Sequence, residues 1–132
     1  MAIKVTEINH VQATVPGSAE QEAKHFYGAI LGLEEIPKPA GPRSPLSRRG
    51  SQRGGWYRCG STELHLSVED ISTDNHASRR HVCFMVANLA DAEARMRDAG
   101  IEIIPDDNPI EGWRRFYVRD PGGNRVEIAE RG

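Results

Sequence analysis

Asn9-His10-Val11-Gln12-Ala13-Thr14-Val15 (NHVQATV) and Arg80-His81-Val82-Cys83-Phe84-Met85-Val86 (RHVCFMV) are the stretches whose comparison decides the fold. Each opens an alternating apolar strand on a histidine. Moving outward, Leu31-Gly32-Leu33 corresponds to Ala99-Gly100-Ile101, and Leu64-His65-Leu66 to Val126-Glu127-Ile128, with small length differences between. A period near half the chain length marks a duplicated supersecondary unit. Three histidines and a glutamate at equivalent places in the two halves have the composition of a metal site.

Size and composition agree with one soluble domain, residues 1–132. The chain has 132 residues, 38% hydrophobic and 27% charged, ordinary values for a globular protein. A net charge of -2 gives no general attraction to nucleic acid or an anionic membrane. No apolar run is long enough to span a bilayer, and Met1 to Glu7 is too short and mixed to read as a leader. Cys59 and Cys83 are too few and too far apart for a disulfide framework, so reduced thiols and a cytoplasmic location are expected. The GSQRGG run (50–55) lacks the preceding strand and following helix of a nucleotide loop.

Periodicity predicts β-α-β-β-β twice, module 1 over about 6–70, a linker over about 71–79 and module 2 over about 80–130. In module 1 a strand fits Ile8 to Val15. A helix from Ser18, its expected N-cap, to Leu31 carries Ala19, Ala23, Phe26, Tyr27, Ile30 and Leu31 on one face. Short strands fit Trp56 to Cys59 and Glu63 to Val68. In module 2 strands fit His81 to Val86, Glu102 to Ile104, Arg115 to Arg119 and Arg125 to Ala129. A helix through Leu89, Ala92, Met96 and Ala99 stops at Gly100, and Asp120-Pro121-Gly122-Gly123-Asn124 turns between the last two strands.

Strand alternation turns Val11, Ala13, Val15, Leu64, Leu66, Val82, Phe84, Val126 and Ile128 toward the helices. His10, His65, His81 and Glu127 then share the opposite face, where four ionisable groups without a cation would repel or desolvate one another. His25, beside Phe26 and Tyr27, and His76, in a polar linker, read as structural.

This pattern resembles the vicinal oxygen chelate superfamily, which includes glyoxalase I, methylmalonyl-CoA epimerase, extradiol dioxygenases, fosfomycin thiol transferases and bleomycin-binding proteins. The matching segments are INHVQATV, FYGAILGLEEI, TELHLSVE, HVCFMVANL and DPGGNRVEIAE, nearly the whole chain in order. The resemblance implies an α+β fold of two tandem βαβββ modules, a curved mixed sheet around a cleft. It implies a divalent metal (Zn, Ni, Co, Mn or Fe) held by His10, His65, His81 and Glu127. Oxygenase and many transferase relatives keep only three ligands, corresponding to His10, His81 and Glu127. A capable fourth at His65 favours a lyase or isomerase working by proton transfer on a small α-oxygenated carbonyl or acid, with Glu127 as the base. His65 stands where glyoxalase I has a glutamate, which argues against methylglyoxal detoxification specifically. The alternatives are an extradiol dioxygenase-like or thiol-transferase enzyme, or a metal-free binding protein of the bleomycin-resistance type. Many members form homodimers in which His10 and His65 meet the partner subunit's His81 and Glu127, and a homodimer is expected here.

Further residues are candidates for contact with an anionic small-molecule substrate. Arg114 and Arg115 precede a strand, and one of them faces the cleft. Tyr117 shares a face with Arg115, and Trp56 is placed to wall the pocket. Lys38, Arg43, Arg48, Arg49 and Arg53 fall in a Pro-, Gly- and Ser-rich stretch read as a solvated loop.

Overall fold

The computed structural model describes residues 1–39, 53–70 and 74–132. The basic stretch read as a loop falls largely on residues 40–52, outside the described residues. In module 1 the strands are β1 (His10–Val15), β2 (Glu34–Ile36), β3 (Gly55–Cys59) and β4 (Thr62–Val68). In module 2 they are β5 (His81–Met85), β6 (Ile104–Pro105), β7 (Trp113–Arg119) and β8 (Arg125–Arg131). Both sheets have the same plan, β1-β4-β3-β2 and β5-β8-β7-β6. In each, the first strand runs parallel to the last and every other pairing is antiparallel. The duplication is also kept in the register, since Gln12 lies beside His65 as Cys83 lies beside Glu127. These two four-stranded mixed sheets are the α+β arrangement expected from the repeat.

Helix α1 (Glu20–His25) continues a 3-10 turn at Gly17–Ala19 and runs on into a π-helical stretch, Phe26–Ile30. Its acidic start, Glu20 and Glu22, and basic end, Lys24 and His25, complement the helix dipole. Ala23, Phe26 and Tyr27 are buried on one side as the spacing predicts. The expected Ser18 cap is not made. Instead the Gly17 N–H donates to Asp70 Oδ1 at 2.8 Å, so a carboxylate from beyond β4 satisfies the helix entry. Helix α2 (Leu89–Asp98) does have a side-chain cap, Asn88, whose Oδ1 accepts from Asp91 N–H at 2.9 Å. Both helical segments end at a glycine in the left-handed region, Gly32 (φ 70) and Gly100 (φ 76).

One apolar core joins the modules. Leu64, Leu66, Val126 and Ile128 are each 0–1% exposed and meet Ala23, Phe26 and Met96 from the helices. Fully burying one such aliphatic chain is worth roughly 1.5–3 kcal/mol. Polar contacts lock the joint: Tyr27 Oη donates to the buried Asp120 Oδ2 at 2.7 Å, and Asn75 and Asn124 both donate to the Thr14 carbonyl. Asp120 also organises the turn between β7 and β8, accepting from Gly122 and Asn124 N–H. That turn lies directly on β1, because a Cβ at Gly122 would stand 2.5 Å from Val15 Cγ1.

Candidate functional site

With the core on the helix side, the alternate residues of every strand are left on the helix-free face. In module 1 this is an aromatic and imidazole cluster. Trp56 lies opposite His65 across β3 and β4, and their rings stack at 4.5 Å with a 27° tilt. The His10 ring lies 5.1 Å from the same indole, so Trp56 holds both histidines. The indole N–H donates to Glu63 Oε1 at 2.5 Å, which fixes the ring plane. Burial, and then the charges of Lys38 and His10, lower the pKa of His65, keeping its imidazole neutral and its lone pair available. His10 Nδ1 is paired with Asn9 Oδ1 at 2.8 Å, leaving Nε2 free of that contact.

Module 2 presents a carboxyl group at the same place. Glu127 is 4% exposed, with Oε1 at 3.0 Å from His81 Nε2 and Oε2 at 3.5 Å from Arg115 Nη1. The Cys83 thiol, its register partner, hydrogen-bonds to it as well. Enclosure by the surrounding protein, and then the Glu127 carboxyl, push the Cys83 thiol up to about 12. It is therefore a neutral donor at physiological pH rather than a thiolate. Arg115 is itself anchored: Nε donates to Asp106 Oδ2 at 2.9 Å and Nη2 to the Asn108 carbonyl at 2.9 Å. That hydrogen bond from Arg115 holds the Asp106 carboxyl below its ordinary value. Tyr117, opposite Glu127 in β7, meets the His81 ring edge-on at 5.8 Å.

The sequence candidates thus assemble as two pairs, His10 with His65 and His81 with Glu127. Among the described residues, no group of three or more His, Cys, Asp or Glu side chains lies close enough to hold a metal ion within the single chain. The strand register settles the faces of the arginines: Arg115 and Tyr117 share the face of Glu127, whereas Arg114 is ion-paired with Glu130 on the other. Of the histidines read as structural, His76 packs over Gly123, and His25, exposed on α1, lines a cavity together with residues of the segment 99–104.

Three residues escaped the sequence reading as site residues. Cys83 and Arg125 lie on the right face by simple alternation, two positions from His81 and Glu127 respectively, and that spacing was the available signal. Asp106 comes from the connection after the two-residue β6, where no periodicity exists to place it. A cavity of about 450 Å³ opens between the edge strands β1 and β5, with Gln12, Thr14, His81 and Arg125 in its wall. No helix among the described residues is long and apolar enough to cross a membrane.

The donor types fit a divalent ion. Imidazole and carboxylate are ordinary ligands of zinc, nickel, cobalt, manganese and iron, and His81 Nε2 and Glu127 Oε1 lie 3.0 Å apart in direct contact with each other.

Comparison with known proteins gives the same architecture. A glyoxalase family protein from Bacillus anthracis is 38% identical with a TM-score of 0.81, and the match covers 100% of both chains. A glyoxalase/dioxygenase from Nostoc punctiforme is 22% identical with a TM-score of 0.74, covering 100% of this chain and 99% of that one. A lactoylglutathione lyase from Agrobacterium tumefaciens is 22% identical with a TM-score of 0.69, covering 96% and 95%. None of the curated proteins matches the chain. The family model of the Glyoxalase/Bleomycin resistance protein/Dioxygenase superfamily matches residues 7–128, and the chain belongs to that superfamily.

Proposed function

We propose that this protein is a metal-dependent lyase or isomerase of the glyoxalase type, acting by proton transfer on a small α-oxygenated carbonyl or acid. The observation that carries the reading is the convergence of His81 Nε2 and Glu127 Oε1 at 3.0 Å on one face, matched in module 1 by His10 and His65 around Trp56. A divalent ion bound by these four residues would supply Lewis-acid polarisation of a carbonyl and its neighbouring oxygen, acidifying the adjacent C–H. Glu127 receives that proton on a carboxyl oxygen and returns it to the neighbouring carbon or oxygen. Arg115 and the Cys83 thiol orient the carboxyl group, and Asp106 holds Arg115 in place. Trp56 and Tyr117 wall the site and exclude water.

The two pairs on one chain also support a homodimer in which each site takes His10 and His65 from one copy and His81 and Glu127 from the other. A cytoplasmic setting agrees with Cys59 and Cys83, both free thiols.

The metal content of protein purified without added metal tests the reading, together with deuterium incorporation at the α-carbon of small hydroxy-carbonyl compounds in D2O. Stoichiometric metal that falls in His65→Ala, with exchange lost in Glu127→Gln, is the expected result. Absence of bound metal after supplementation with each of the five ions overturns it. The second reading, a metal-free small-molecule binder, is favoured by one observation: Glu127 already has His81, Arg115 and Cys83 as partners.

A further inference from the structure

We propose that Arg125, assisted by Arg80, is the oxyanion-recognising pair of this cleft. The substrate would then be an α-oxygenated carbonyl compound that carries a carboxylate or phosphate group. The inference rests on the proposed function only for the reacting end of the substrate; the anion site itself is argued from residues outside the candidate ligands.

The arginines of this region differ in what already occupies their guanidinium groups. Arg115 spends its guanidinium on Asp106, the Asn108 carbonyl and Glu127. Arg114 is paired with Glu130, and Arg119 donates through Nη1 to the carbonyls of Asn75, Ser78 and Gly123. Arg125 differs from all of them. Its guanidinium carbon lies 3.8 Å from the Tyr117 ring centroid, and among the described residues it forms no direct ion pair, feeling only the charge of the Asp106 carboxyl, which is already hydrogen-bonded to Arg115. Stacking on a buried tyrosine fixes the plane of the guanidinium while leaving its N–H edges free, the geometry a bidentate oxyanion requires.

Arg80 lines the same cavity, its Nε donating only to the Ser78 hydroxyl at 3.0 Å. Glu69 lines it too, but pairs with neither guanidinium among the described residues, so two cations face one anion there. Gln12 adds an amide to the wall. His81 is the register partner of Arg125, and Glu127 follows two residues along the same face, a strand distance of about 7 Å. An oxyanion on Arg125 therefore leaves the reacting carbon of a three- or four-carbon compound beside Glu127. An arginine already saturated by internal carboxylates offers no such site.

Inorganic phosphate and acetate are the probes, titrated separately into the full-length, metal-free protein at low ionic strength. Calorimetry and the Arg125 Nε–H NMR resonance follow binding. Saturable binding of at least one probe is expected. It should weaken about tenfold or more in Arg125→Gln, the loss of a charge-assisted bidentate contact. Arg125→Lys should fall between the two, keeping the charge without the fork, and Arg80→Gln should lose less. Arg58→Gln, which breaks only a surface pair with Glu34, should bind as the parent does. A preference for phosphate assigns a phosphate ester, and a preference for acetate assigns a carboxylate. Equal affinity in the parent and Arg125→Gln, or no saturable binding of either probe, overturns the proposal. Metal uptake, measured on the same preparations after reloading with each divalent ion, separates the two claims, because anion binding that depends on Arg125 in a protein unable to take up metal sinks only the metal reading.

Discussion

At Gly122 a single hydrogen atom decides whether the two halves can close on each other. Gly122→Ala puts a methyl group 2.5 Å from Val15 Cγ1, and we expect a loss of about 1–3 kcal/mol in urea unfolding as the turn is pushed off β1. An unchanged midpoint would mean that the contact is not close in solution. The neighbouring Tyr27–Asp120 bond gives a pH signature. Burial, then the Asp120 charge, raise the Tyr27 pKa well above its ordinary value, and burial, then Glu35, push Tyr57 up to about 12. The unfolded chain ionises both near pH 10 while the folded chain does not, so their contribution is intact below pH 10 and is lost as pH climbs toward 12. Tyr27→Phe should cost about 1.5–3 kcal/mol at neutral pH and should flatten this alkaline decline. A decline as steep as the parent's would sink that assignment. Single residues were legible in the sequence where alternation governs them: His10, His65, His81 and Glu127 could be assigned to one face without coordinates. Asp106 and the pairing of Arg114 with Glu130 could not, because a turn and a strand register decide them.

Among the elements, α2 is the one whose start was left unassigned by the sequence and is plainly built by it. Asn88 supplies the cap, and Glu130 Oε1 accepts from Leu89 N–H at 3.2 Å, so β8 also ties down the helix entry. Asn88→Ala should lower the unfolding free energy by about 1 kcal/mol without altering site contacts, readable as a shifted denaturation midpoint with an unchanged slope. Helix α1 taught the opposite lesson. Ser18 has the right chemistry for a cap, yet Asp70 does that work because β4 returns the chain to this end of β1. Local propensity is weak against such a long-range partner. Strand β2 was invisible for a similar reason: Glu34 and Glu35 are poor strand formers, and their pairing with Arg58 and Tyr57 is fixed across the sheet.

For the whole molecule, the question is whether the two pairs of candidate ligands meet through a second copy. We expect a chain carrying His10→Ala and His65→Ala, and a second carrying His81→Ala and Glu127→Ala, each to bind no metal alone. Refolded together they should recover one intact site per mixed dimer, measured as metal per dimer after separation. No recovery would place all four ligands within one chain. The repeat, the order of its elements and the face shared by the candidate residues were legible because duplication states each of them twice; the joint between the halves occurs once, and was not. That joint has a consequence for synthesis on the ribosome. Every strand of the first sheet lies before residue 69, so its backbone ladder can close while the second half is still unmade. The hydroxyl of Tyr27 must nevertheless wait for Asp120, 93 residues later, to gain its partner. The interior of the first half is thus completed only by a residue of the second, whatever order its own strands have reached.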